Sequence, residues 1–150
     1  MNDAHHPRDV VERLLRAAIG PRPQEMADCY AQEVIIEMPF TAAGLYPART
    51  QTTREELRAR FAAGGAVRRY TGLGRTVIHE TADPDVIIVE YELDGHLVTT
   101  GEPFTLPFVM VLTIHDGHIT HSRDYTDPIA GARAMGRVPQ LLTALAATTD

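Results

Sequence analysis

The residue whose type and setting best suit chemistry is Asp124, in the run Ile119-Thr120-His121-Ser122-Arg123-Asp124-Tyr125-Thr126-Asp127-Pro128. The run directly follows Asp116-Gly117, a strong hairpin-turn signal. Residues 119–125 therefore read as a strand. Asp127-Pro128 reads as the N-cap and first residue of a helix that turns the chain away. Alternate residues of a strand share a face, so Thr120, Ser122 and Asp124 are expected together, with Ile119, His121, Arg123 and Tyr125 opposite. A carboxylate on the inner face of a late strand is held rigidly, and its neighbour Arg123 points away from it. Without a close cation its pKa is expected to be raised, which suits a general acid or base. The alternative is a structural ion pair between Asp124 and another arginine.

Three more carboxylates, Glu37, Glu90 and Glu92, lie in strand-like segments and complete a candidate catalytic set with Asp124. Several carboxylates in one apolar pocket cannot all ionise cheaply. One would keep its proton as an acid while another stays ionised as a base. That division of labour suits moving a proton α to a carbonyl, as in an aldol-type cyclisation or an isomerisation. The competing arrangement puts Glu90 and Glu92 on the solvent side, with Ile87, Val89 and Tyr91 inside. Both faces of that segment carry apolar residues, so the two remain open. Tyr30, Tyr46 and Tyr91 can each donate a hydrogen bond to a ligand oxygen, or sit in the core or at its rim. Phe40, Phe61, Phe104, Phe108 and Met110 are candidates for pocket lining or core. Tyr30, Phe40, Tyr46, Phe61, Phe108 and Met110 are the ones expected to contact substrate.

His115, His118 and His121 recur every third residue, which invites a metal reading. A turn separates the first two, and a spacing of three on a strand places the others on opposite faces. They read as solvated hairpin histidines. No zinc pattern, nucleotide-binding glycine loop or Ser/Cys nucleophile signature occurs, and neither metal nor cofactor is expected.

Residues 8–19 form an amphipathic helix, with Val10, Val11, Leu14, Leu15 and Ala18 on one stripe. Residues 24–31 read as a short second helix after Pro23. Residues 34–38 are a strand, and 40–51 a loop. Thr52 and Thr53, each three residues before a glutamate, open a third helix through a capping box, and Gly64-Gly65 is expected to stop it. From there the chain is β-rich: strands over 71–80, 86–93, 96–100 and 104–115 precede the 119–125 strand. Asp94-Gly95 is read as a second hairpin turn. Helices over 128–135 and 139–147 close the chain. Early helices and late antiparallel strands predict an α+β domain, a curved sheet with helices across its concave face.

The chain has 150 residues, enough for one domain with a sizeable core, and one domain over 1–150 is expected. It is 44% hydrophobic and 23% charged, as in soluble globular proteins. A net charge of -6 without a basic block argues against nucleic-acid or anionic-membrane partners, despite the helix–turn–helix look of the N-terminus. No apolar run reaches the roughly 18 residues of a membrane span. Cys29 is the only cysteine, and residues 1–7 lack an apolar signal region, so a cytoplasmic protein is expected. Residues 108–114 are apolar on both faces, which predicts a homodimer that covers the outer one.

Three stretches carry a family resemblance: Ala31-Gln32-Glu33-Val34-Ile35-Ile36-Glu37-Met38-Pro39-Phe40, residues 86–95, and Asp116-Gly117-His118-Ile119 through Arg123-Asp124-Tyr125-Thr126-Asp127-Pro128. With their order, they resemble the NTF2-like superfamily of cone-shaped α+β folds. Within it the chain is most similar to the SnoaL-like polyketide cyclases and their relatives, limonene epoxide hydrolase and the phenazine-biosynthesis A/B proteins. The resemblance implies an apolar pocket inside the cone for a small molecule. Asp124 matches the aspartate of the hydrolases' Arg-Asp-Tyr motif, a position where the phenazine proteins carry Glu. The hydrolases' earlier Arg-x-Asp pair aligns with Glu90 and Glu92, so its arginine is missing. Their Tyr-x-Asn-Met-Pro water site aligns with Ile35-Ile36-Glu37-Met38-Pro39, with both water-holding residues changed. The aspartate base of ketosteroid isomerase aligns with Met38. The implied activity is a SnoaL-like cyclase or isomerase acting on a carbonyl intermediate of secondary metabolism. The alternatives are a non-catalytic binder or scaffold, and an epoxide hydrolase with water held between Asp124 and Glu37 or a tyrosine.

Overall fold

A computed structural model describes residues 5–147. The stretch that bears on a signal peptide falls partly outside them, at residues 1–4. The elements are α1 (Pro7–Ala18), a 3-10 turn (Pro23–Cys29), β1 (Tyr30–Glu37), β2 (Arg49–Thr53), α2 (Arg54–Val67), β3 (Arg68–Glu80), β4 (Val86–Leu97), β5 (Pro103–His115), β6 (His118–Thr126), α3 (Pro128–Ala134) and α4 (Val138–Ala146). One curved, open sheet runs in the order β2-β1-β6-β5-β4-β3. Every pairing is antiparallel except β1 with β6, which is parallel. The expected α+β architecture is therefore present with six strands, divided otherwise than expected: the segments 86–93 and 96–100 join as β4, and one strand is added.

The extra strand is β2, inside a segment whose sequence reads as loop. Its residues, Arg-Thr-Gln-Thr-Thr, show no apolar alternation because it is an edge strand that buries only Thr52. Residues 24–31 were expected to be α-helical. The segment tightens into the 3-10 turn, and Tyr30 already opens β1.

Two glycine signals also act differently from expectation. Gly64-Gly65 does not stop α2, which runs on to Val67. A Cβ on Gly65 would lie 2.8 Å from Pro23 Cγ, so this glycine lets the 3-10 turn close on the helix. Asp94-Gly95 is not a turn. β4 passes through it, pairing Asp94 with Thr105 and Gly95 with Phe104, and the reversal comes after Leu97. A Cβ on Gly95 would sit 2.3 Å from the Arg69 carbonyl oxygen, so the glycine permits close approach of β3. The capping box forms as expected. Glu56 N–H donates to Thr53 Oγ1 at 3.2 Å, and Glu56 Oε2 accepts from Thr53 N–H at 3.2 Å.

The inner face of the sheet presents Ile87, Val89, Tyr91 and Leu93 from β4, Met110, Leu112 and Ile114 from β5, and Ile119 and Ser122 from β6. The Val10, Val11, Leu14 and Leu15 stripe of α1 joins this core, and α1 contacts β3, β4 and β5. Helix α2 lies over β1, β2 and β3. Arg54 Nε donates to the Tyr30 carbonyl at 2.8 Å, fastening the start of α2 to the start of β1.

One bulge changes the expected facing of β6. Ile114 pairs with Ile119, but Thr113 pairs with His121, leaving Thr120 as the extra residue. Ile119 is thereby fully buried on the same face as Ser122, a correction to strict alternation from residue 119. Beyond the bulge, Ser122 and Asp124 share the inner face, and His121, Arg123 and Tyr125 the outer.

Gly95→Ala is expected to lower stability by about 1–3 kcal/mol, because backbone blocks the new methyl. Gly72→Ala meets only the Asp94 side chain, at 3.7 Å, and serves as the control. Urea denaturation of the two variants checks this. Equal stabilities would mean that β3 and β4 can move apart at Gly95.

Candidate functional site

Asp124 pairs with Met110 across the β5–β6 ladder, facing inward. Burial pushes its carboxyl pKa upward. Ser122 Oγ donates a hydrogen bond to Asp124 Oδ1, which offsets part of that rise. Among the described residues no arginine or histidine forms an ion pair with it. The carboxylate is thus desolvated, with one hydroxyl bonded to it.

Asp124 lines a cavity of about 650 Å³ between the sheet, α2 and α3. The walls include Tyr30, Ile36, Leu57, Phe61, Leu106 and Phe108, and the rim includes Tyr46, Asp127, Ala132 and Met135. Asp127 accepts hydrogen bonds from Ile129 and Ala130 N–H through Oδ1, at 3.1 and 2.9 Å, which sets α3 across the mouth. The size and the largely apolar walls suit a small organic ligand.

Two buried tyrosines accompany Asp124. The Tyr30 hydroxyl pKa is pushed far up, first by burial and then by the charge of Asp124. Tyr91 is raised for the same two reasons, and its ring stacks on Phe108 at 5.1 Å. Both therefore stay neutral and can only donate or accept hydrogen bonds near neutral pH.

The four expected carboxylates are not gathered. Glu37 pairs with Arg123 in register, so its side chain is on the outer face. There Glu37 Oε2 lies 2.8 Å from His121 Nε2, and Oε1 lies 3.8 Å from Arg49 Nε. Glu90 is exposed on the same face, 2.6 Å from His79 Nε2. Glu92 also faces outward, over Gly74, beside a depression of about 320 Å³ shared with Glu90 and Arg75. The cause is strand alternation: with Tyr91 and Leu93 buried, Glu90 and Glu92 must face the other way.

Of the expected contact residues, Tyr30, Tyr46, Phe61 and Phe108 line the cavity. Tyr46 sits at the rim, its hydroxyl accepting from Arg137 Nη1 at 2.7 Å. Phe40 does not line it. It is 63% exposed and stands edge-on to Tyr125 beside the outer depression. Met110 faces inward but belongs to the packed core. The expected opposite facing of His118 and His121 does not hold: the bulge at Thr120 puts both on the outer face, with His121 beside Glu37, while His115 lies 3.6 and 3.4 Å from Asp85 and Asp116. Among the described residues no group of three or more His, Cys, Asp or Glu is placed to hold a metal.

Sequence reading missed Arg60, Arg68 and Tyr70, which also line the cavity. Arg60 was findable: it follows Leu57 by three residues, which puts it at the edge of the cavity side of α2, although it is itself exposed. Arg68 and Tyr70 carried no such signal, because β3 alternates poorly around its two bulges.

The raised pKa of Asp124 makes a signed prediction. Its ordinary value is 3.8, and burial raises it in the folded state. The folded protein then holds this proton where the unfolded chain has lost it. That stabilisation is complete below the unfolded pKa and is lost as pH rises through the folded one. Asp124→Asn removes the effect. The melting temperature of the variant minus that of the wild type should grow from about pH 4 upward and then level off. Calorimetry across this range checks it, and a gap that shrinks with pH would reveal a stabilising ion pair.

Comparisons with known proteins agree on the family. A model of the SnoaL-like domain matches residues 11–122. The uncharacterized protein YesE of Bacillus subtilis is 34% identical over 59 residues, which are 39% of this chain and 40% of that one. An uncharacterized PhzA/B-like protein of Pseudomonas aeruginosa is 27% identical over 133 residues, covering 87% and 91% of the two chains. Among solved structures, a Bacillus subtilis protein provisionally named an isomerase superposes with a TM-score of 0.80 at 20% identity. That match covers 91% of this chain and 97% of the other. No helix among the described residues is long and apolar enough to cross a membrane. The helix-covered curved sheet and these matches converge: the chain belongs to the SnoaL-like domain family.

Proposed function

We propose that this protein is an acid–base enzyme of the cyclase or isomerase type, acting on a small, largely apolar carbonyl compound such as a polyketide-type intermediate. The observation that carries the reading is Asp124: a half-buried carboxylate at an apolar cavity, bonded by Ser122 and by no cation among the described residues. Its raised pKa strengthens it as a base. In the proposed step, Asp124 takes a proton from the carbon α to the carbonyl. The electron pair moves onto the carbonyl oxygen, where the neutral Tyr30 hydroxyl donates a hydrogen bond to the developing enolate. Returning the proton to another carbon completes an isomerisation. Attack of the enolate carbon on a second carbonyl, with the proton passed to the new alkoxide, completes a cyclisation. Both routes use side chains alone, without a metal or cofactor.

A non-catalytic binding role is the second reading, favoured because, among the described residues lining the cavity, the only other carboxylate is Asp127 at the rim, which caps α3 through Oδ1. Epoxide hydrolysis loses one of its two expected water sites, because Glu37 and Asp124 are on opposite faces of the sheet; the other, between Asp124 and a tyrosine, would fall to Tyr30.

Hydrogen–deuterium exchange α to the carbonyl of apolar cyclic ketones, followed by proton NMR, tests the catalytic reading. The wild type should accelerate exchange, with a rate that rises as Asp124 loses its proton. Asp124→Asn should lose roughly 100-fold or more, and Tyr30→Phe a smaller factor. Equal rates in folded wild type and Asp124→Asn would leave the binder.

We further infer a cytoplasmic homodimer joined through the outer sheet face, where Ile35, Ile88, Val109 and Val111 are only half-buried and Phe40 is exposed. Sedimentation at micromolar concentration should give twice the 16.5 kDa chain mass. A lone monomer would refute the dimer.

A further inference from the structure

We infer that the cavity is built for an organic acid, with Arg60 and Arg68 receiving the carboxylate at one end while the apolar body of the ligand reaches toward Asp124. The inference rests on this cavity being the functional site, and it names the substrate class more narrowly. Both arginines line the cavity wall. The protein carries 20 acidic residues against 14 basic ones, and Arg22, Arg49 and Arg58 are all within ion-pair distance of carboxylates. Among the described residues, Arg60 and Arg68 are within 4.0 Å of none. Arg60 feels the charge of Glu56, one turn earlier on α2, but no carboxylate is in direct contact with either guanidinium, and two such groups beside an apolar cavity can receive an anion.

Their surroundings hold them in place. Arg68 donates through Nε to the Tyr70 hydroxyl at 2.9 Å, and its guanidinium carbon stands 5.7 Å from the Tyr70 ring centroid. That bond leaves both terminal nitrogens for a ligand. They lie over Gly64, where an added Cβ would be 3.5 Å from Nη2. Arg60 is exposed and borders the cavity from α2, next to Phe61. The adjacent Arg69 is already committed, donating to the Gly20 and Pro21 carbonyls at 3.4 and 3.1 Å. Phe61 packs on Tyr30 at 5.9 Å, and Tyr30 is close enough to Asp124 to feel its charge. The arginines and the carboxylate thus belong to one cavity, with an aromatic stretch between them. That separation lets a ligand carry a negative charge without placing it beside Asp124.

Calorimetric titration with 4-phenylbutyrate and with its neutral isostere 4-phenylbutyramide tests this. The wild type should bind the acid at least about tenfold more tightly than the amide, as one charge-assisted hydrogen bond gives. The Arg60→Gln/Arg68→Gln double variant should lose that preference and keep its affinity for the amide. Arg60→Gln alone, which leaves the Arg68–Tyr70 bond intact, should lose part of it. Equal binding of acid and amide by the wild type overturns the inference. So does a double variant that keeps the preference, or one that weakens for both probes alike. The titration needs no turnover. A protein that prefers the acid but does not exchange α-protons refutes the catalytic reading alone, and the reverse pattern refutes only this one.

Discussion

The structure depends on the need to cover one face of a strongly apolar sheet. Val89, Leu112, Ile114 and Ile119 have essentially no exposed surface, and the α1 stripe supplies the apolar layer above them. Each such side chain contributes about 1.5–3 kcal/mol when it leaves water. The cover is not continuous. Helix α2 is held near β1 and the 3-10 turn by Arg54 and Arg58, and α3 is set by Asp127. Between them lies a volume that no side chain fills, and the sheet beneath it presents Asp124. The cavity is therefore where the helical cover is anchored at its edges and not at its centre.

That geometry separates two kinds of carboxylate. Asp124 is half-buried on the cavity wall, where burial penalises its charge and the Ser122 hydroxyl offsets only part of the cost. Glu37 and Glu90 are outside, each beside a histidine, in pairs that solvent screens and that contribute at most about 1 kcal/mol. The same residue class thus performs two tasks, and only depth distinguishes them. The arginines divide similarly: Arg22, Arg49 and Arg58 pair with surface acids, while Arg60 and Arg68 border the cavity.

Much of the fold was legible because periodicity and capping are local. The α1 stripe, the Thr53–Glu56 capping box, the Asp116-Gly117 hairpin and the Asp127 N-cap all follow from neighbours a few residues apart, and all appear. The failures share a different origin. Gly65 and Gly95 read as breakers because a glycine signals freedom of its own backbone. Both are glycines because Pro23 and the Arg69 carbonyl approach them from elsewhere in the chain. β2 was invisible because an edge strand can hydrogen-bond without any apolar pattern.

The candidate site was legible to the same depth. The sequence by itself determined that Asp124 shares a face with Ser122 and turns away from Arg123, since strand alternation needs only adjacent residues. It also determined the family resemblance, because that rests on motif order. Which face of β4 turns inward was a tertiary decision. Both faces carry apolar residues, and packing against α1 put Tyr91 inside and Glu90 and Glu92 outside. The facing of Ile119 was another, made by a bulge that depends on how β5 and β6 pair. The joining of Arg60, Arg68 and Asp124 around one cavity was a third. These residues come from α2, β3 and β6, and no local rule links segments that only a folded chain brings together.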